Sequence, residues 1–268
     1  MTTTAPPAAP PRSVLRNEVL LVLGVSLGAS ALMSVLRIAE RLTRGTALSE
    51  QTAALNVSQL PDRPWFDLTH QLLRISLAVV PVLLVLYLLN RYPGGGTRLI
   101  GLDLRRPRFD LGTGLVLTAV IGVPGLALYV AALHFGFGVR IVPAALAAAW
   151  WTVPVLILAA AQNALLEEVV GVGYLFQRLR ELGWGIPAVL TAHALLRGSY
   201  HLYQGFGGFL GNAAMGVVFG LFYLRYRRVM PLVVAHTLLD VVAFVGYSLF
   251  QEELDALLAS VLAALPGR

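Results

Sequence analysis

Seven stretches of this chain run for eighteen or more predominantly apolar residues, near 18–37, 70–90, 111–133, 147–178, 186–203, 207–225 and 231–250. A bilayer core is crossed by a helix of roughly 20 apolar residues. Within lipid every backbone N–H and C=O must be satisfied inside the structure, which for continuous apolar segments of this length means helices. A last stretch, 252–265, opens acidic ("EELD") and turns apolar, as a short interfacial or packing helix would. The expected fold is therefore all-α, a polytopic membrane helix bundle with seven to eight transmembrane helices. Composition agrees. Hydrophobic residues make up 57% and charged residues 13% of the chain, where soluble domains average about 45–50% and about 25%.

The chain has no cysteine, which excludes disulfides, thiolate metal sites and cysteine nucleophiles. Its twenty basic residues are all arginine, a bias that reads as the codon usage of a G+C-rich genome. The net charge of +6 does not call for a nucleic-acid partner, because arginines collect in the cytoplasmic loops of membrane proteins. With the N-terminus inside, twelve of the twenty arginines fall on the cytoplasmic side, in segments around Arg16, Arg98–Arg108, Arg178–Arg180 and Arg225–Arg228. This predicts a multi-pass protein of the cell inner (plasma) membrane with a cytoplasmic N-terminus. The opposite loop, 38–69, is more basic than the rule favours. Residues 1–12, "MTTTAPPAAPPR", are small, polar and proline-rich and are expected to form a disordered tail ahead of a single membrane domain, 13–268. The apolar stretch from Val19 is followed by no clear cleavage site and is expected to stay as the first membrane helix. The segment "GLDLRRPRFDLG", 101–112, reads as an amphipathic lead-in on the inner surface.

Several polar residues lie where lipid disfavours them: Asn163, Glu167, Glu168, His193, Arg197, His201, Asn212, His236 and Asp240. An ionised group at a helix centre costs about 2.5–3.5 kcal/mol on insertion scales, so such groups face the bundle interior and are functional by default. A step of four residues keeps side chains on one helix face. Asn163 with Glu167, His193 with Arg197 and His201, and His236 with Asp240 thus give three helices one polar stripe each. By rise per residue Glu167 and His236 come to similar depth, whereas His201 requires a tilted helix or a turn sunk in protein at "YQGFGGFLG".

A carboxylate beside imidazoles can take a proton from water and return it to a leaving amine, the general acid–base work of peptide hydrolysis. A histidine from another helix can donate to the developing oxyanion, and Asp240 can orient His236 from one turn away. Glu167, His201 and His236 would also suffice as protein ligands for catalytic zinc, and spacing does not separate the two chemistries. Bland readings apply to the rest. Glu167 and Glu168 could form a structural ion pair with Arg197. His193 and His134 read as packing or loop residues, Asn212 as a bond to a neighbouring helix, and Tyr200, Tyr203 and Trp184 as interface aromatics.

Three dispersed motifs on three helices resemble the CAAX prenyl protease and bacteriocin-processing (CPBP, or Abi) intramembrane proteases. "EEVVGVGYL" carries the family's Glu-Glu pair and Gly-Tyr-Leu ending, "RGSYHLYQG" its second-motif histidine, and "HTLLD" its final His and Asp, within about 147–245. The resemblance implies an intramembrane endopeptidase acting on a peptide or membrane-protein substrate in the lipid bilayer. Glu167 would be the base for water, Glu168 its supporting carboxylate, His201 and His236 the remaining catalytic or oxyanion-stabilising groups, and Asp240 the companion of His236, with Asn163 in support. The family is described both as metal-dependent and as metal-independent; the lack of a third well-placed histidine favours no metal cofactor, with zinc the alternative. Prenylated substrates are not implied. Two positions depart from the family pattern: Val172 stands where the motif has arginine, and Arg197 where the second motif has phenylalanine. The paired exchange predicts that Arg197 reaches Glu168. The other readings of such a chain are a non-proteolytic scaffold or immunity factor with a vestigial site, and a proton-coupled transporter, although no matched pair of broken helices supports transport.

Overall fold

The computed structural model describes residues 11–91 and 96–266. Most of the expected tail, residues 1–10, lies outside the described residues; helix α1, Arg12–Gly24, is already under way at Arg12. It is followed by α2, Leu27–Leu42, at a bend of 51°. The bend has a local cause. The Ser26 hydroxyl donates to the Val22 carbonyl four residues back, competing with the backbone ladder.

The remaining helices are α3 (Pro64–Asn90), α4 (Pro107–His134), α5 (Thr152–Glu181), α6 (Ile186–Tyr200), α7 (Gly205–Tyr226), α8 (Met230–Leu249) and α9 (Gln251–Ala264). Four of them, α3, α4, α6 and α8, carry proline in their first two positions, where its missing N–H costs no ladder bond. Among the described residues five helices are long and apolar enough to cross a bilayer, or six if the bent α1–α2 pair is one span. That replaces the expected seven to eight. The stretch read as a span at 186–203 is the main difference. Its helix α6 has 15 residues, about 22 Å at about 1.5 Å per residue, short of an apolar core about 30 Å thick.

The chain turns instead at Leu202–Gln204 and restarts at Gly205. Gly205 has φ +87°, and a Cβ there would come within 2.9 Å of the Phe137 carbonyl and the Val139 nitrogen. Only glycine fits both the left-handed backbone and the close approach. This half-buried turn is tied down by Val139 N–H to Gln204 O and Phe206 N–H to Phe137 O. The all-α reading holds except for a two-stranded parallel sheet, β1 (Thr52–Ala54) with β2 (Arg140–Val142).

Helix α5 is the centre of the bundle: 61% of its most apolar window is buried, against 11–33% in the other four spans. Two polar locks hold the periphery to it and to α8. Glu18 of α1 accepts from Arg178 and Tyr174 of α5 at 2.7 and 3.0 Å. Arg228, between α7 and α8, donates to Asp110 at 2.7 and 2.8 Å and to Asp103 at 2.9 Å. The segment 101–112, expected as an amphipathic lead-in, is held by the second lock. It becomes helical only at Pro107, and its two aspartates turn inward to Arg228. At 252–265, where a short interfacial or packing helix is expected, α9 is a short helix with no buried residue, attached through Asp255 to Arg140 and Tyr247.

Candidate active site

Glu167 and Glu168 sit in a π-helical stretch of α5, Leu166–Tyr174. Its residues explain the loosening: "VVGVG" joins β-branched side chains to glycines, all poorer helix formers than alanine or leucine. A π-turn is wider than an α-turn, lowers the angular step between neighbours and recurs at functional sites. Adjacent carboxylates are thereby brought nearer one face. Glu168 is fully buried, while the Glu167 side chain keeps 14% of its exposure.

Arg197, on α6, organises the pair. Its Nη1 donates to Glu168 Oε1 at 2.8 Å, and its Nη2 lies 3.4 Å from Glu167 Oε2. The guanidinium is wholly buried, with Nη2 also 3.4 Å from the Met215 sulfur and the group stacked over the Phe219 ring. Gly216 of α7 makes room for it, since a Cβ there would lie 3.2 Å from Arg197 Cδ. The expected reach from Arg197 to Glu168 is thus present, and Val172 is buried in the apolar core.

His236, on α8, places Nδ1 2.8 Å from the same Glu168 oxygen and Nε2 3.9 Å from Glu167 Oε2. Glu168 is therefore the group that orients this ring. Asp240, expected to do so, is 3.8 Å from Nε2, an ion-pair separation rather than a hydrogen bond. Asn163 of α5 donates to Asp240 Oδ2 at 3.3 Å and steadies it from across the helix interface. His201 follows α6. Its Nδ1 lies 3.1 Å from the Arg197 carbonyl; a carbonyl only accepts, so Nδ1 carries the hydrogen and Nε2 is left as the acceptor in the neutral ring.

Tyr200 belongs to the site and was not expected there. Its hydroxyl donates to Glu167 Oε2 at 2.9 Å. The signal was its place three residues after Arg197, on the same helix face. His193 behaves as the bland reading has it, buried edge-on to Phe176. Asn212 bonds the Gly208 carbonyl of its own helix, not a neighbour.

Glu167, Asn163, Tyr200, His201, His236 and Asp240 all line one cavity of about 850 Å³, which continues past α2 and β1. Among the described residues, the donors that converge within 4.8 Å of one another are Glu167, Glu168 and His236. His201, part of the zinc set considered from sequence, is not in that group. The converging oxygens are already in contact with a permanently charged guanidinium, which opposes a second cation there.

Residues 149–242 match the family model described as type II CAAX prenyl endopeptidase, Rce1-like. This stretch is thus similar to the Rce1-like domains of the CPBP family. No curated protein and no solved structure matched the chain. The match begins just before α5 and ends within α8, so it contains every residue of the cluster just described. The cavity wall formed by α2 and β1 lies outside it. With five or six candidate spans among the described residues, the chain is a multi-pass membrane protein.

Proposed function

We propose that this protein is an intramembrane endopeptidase that hydrolyses a peptide bond with water activated by Glu167. The observation that carries the reading is the contrast between the two carboxylates. Glu168 is sealed against Arg197 and His236, whereas Glu167 opens onto the cavity beside His201. One is built into the scaffold, and the other is available to water. Glu167 takes a proton from water held between it and His201. The hydroxide adds to the substrate carbonyl, and the resulting oxyanion is met by the Tyr200 O–H and by Nε2–H of His236, whose ring is doubly protonated in this step because Nδ1–H is held by Glu168. Collapse breaks the C–N bond as the leaving amine takes the proton that Glu167 received from the water.

The donor cluster does not suit zinc, because Arg197 stands among the same oxygens. The arginine count supports an orientation with the N-terminus and the Arg228 lock on the cytoplasmic side and the cavity mouth at α2 and β1 on the opposite side.

The test is hydrolysis of a pool of blocked decapeptides by the purified, detergent-solubilised chain, read by mass spectrometry. Cleavage should fall about 10²–10⁴-fold in Glu167→Gln and persist in excess chelator. Equal cleavage by the two proteins would remove Glu167 from the chemistry, and loss of cleavage on chelation would restore the zinc reading.

A further inference from the structure

The outer half of the cavity is lined by Arg37, Arg41 and Arg44 of α2 and its end, Arg74 of α3, and residues 52–56. Only Arg44 has a carboxylate partner among the described residues, Glu40 at 2.7 Å. Arg74 meets the neutral oxygens of Asn56 and Gln71, and Arg41 those of Gln51 and Thr52. Three guanidinium groups thus stand without a carboxylate in contact around a concave, partly apolar wall that leads to Glu167. Low-dielectric walls concentrate such a field. The arrangement also accounts for the surplus arginines on the side where topology favours fewer of them.

Strand β1 supplies the second half. Its pairing with β2 uses Gln51 O, which accepts from Arg140 N–H at 3.0 Å, and Leu55 N–H, which donates to Val142 O at 2.8 Å. Alternation along a strand turns the main-chain groups of Thr52 and Ala54 to the other edge. There Arg41 Nη2 already donates to Thr52 O at 3.1 Å, and Ala54 lies exposed on the cavity wall. A two-stranded sheet open at a cavity-lining edge is a template for a third, extended strand.

Resting on the peptidase reading above, we infer that the substrate is a segment with acidic side chains, which enters in extended form along the open edge of β1 and is held there by Arg37, Arg41 and Arg74. Main-chain pairing at Ala54 positions the backbone, and the arginines select the charge.

The experiment is fluorescence anisotropy of three labelled decapeptides, acetylated and amidated so that only side chains carry charge. One has Asp and Glu flanks, one Gln flanks and one Arg flanks. The host is full-length Glu167→Gln protein in nanodiscs of zwitterionic lipid, so that binding is read without turnover. The acidic peptide should bind about tenfold or more tightly than the neutral one at low salt, with the gap closing by about 0.5 M salt. Adding Arg37→Gln and Arg74→Gln should close the same gap, and Arg37→Glu with Arg74→Glu should turn the preference toward the Arg-flanked peptide, which a misfolded protein would not do. Equal affinity for the three peptides would overturn the inference. So would loss of acidic-peptide binding when anionic lipid is added to the discs, which would reassign the arginines to headgroups. Charge-selective binding together with no cleavage by the native chain would retire the peptidase reading and keep the arginine site; cleavage without charge preference would do the reverse.

Discussion

At the scale of residues the protein rests on one exchange of charge. A buried carboxylate without a partner is untenable in a membrane interior, and Glu168 is fully buried. With Val172 in the motif's arginine position, the compensating cation comes from another helix, and Arg197 supplies it at 2.8 Å. Removing one partner of a buried pair costs about 3–5 kcal/mol. Arg197→Met should therefore lower unfolding stability by about that amount, measured by denaturation in mild detergent, and adding Glu168→Gln should recover most of it. An Arg197→Met protein as stable as the native chain would contradict the pairing. This contact was legible in the sequence because a loss and a gain of arginine coincide in two motifs. Tyr200 was not, since an aromatic next to a histidine looks like any interface tyrosine until its hydroxyl is seen to reach Glu167. The π-helical turn was invisible for a different reason: its register differs by one residue from an α-helix, and side-chain periodicity over nine residues cannot resolve that.

At the scale of elements, what orders the helices is a small number of polar locks. The Arg228 lock ties the start of α4 to the α7–α8 turn. Burial alone would raise the Asp103 carboxyl, yet the Arg105 amide and the Arg228 guanidinium that bond it hold it below the usual carboxylate range. A depressed native pKa means stability that is present above the unfolded value, about 3.9, and is lost as pH falls through the lower native value. Thermal stability should therefore decline below about pH 4, and Asp103→Asn should flatten that decline by no more than about 1 kcal/mol, since this aspartate is partly exposed. A variant with an unaltered acid limb would show that Asp103 takes no part. Long apolar helices such as α3, α4 and α8 were readable from composition, because the bilayer leaves them no other structure. The shortness of α6 was not. Its apolar run continues through Leu202, and the chain is broken there by tertiary contacts with Phe137–Val139. The three-residue strands were equally hidden, for their pairing joins segments far apart in sequence.

At the scale of the whole molecule the parts make a bundle with its buried polar cluster on three helices and the rest of the cavity wall on α2, α3 and β1. The Rce1-like match stops short of α2 and β1, so the groups proposed to react lie within the matched stretch, while the surface proposed to meet the substrate lies in the N-terminal third. The absence of cysteine makes the proposed orientation easy to test. Asp62→Cys should react with a membrane-impermeant maleimide in intact cells, and Arg105→Cys only after permeabilisation. The reverse pattern would invert the topology and put the arginine-lined mouth in the cytoplasm.

The central claim is that Glu167 opens a peptide bond in a cellular substrate. It is tested most directly by comparing membrane-protein N-termini in cells that carry the native chain or Glu167→Gln at matched expression. New termini found only with the native chain, preceded or followed by acidic residues, are the predicted result, and they would name substrate and cleavage site together. An identical set of termini in the two strains, with both proteins folded in the membrane, would contradict it and leave a scaffold built around a carboxylate that no longer splits water.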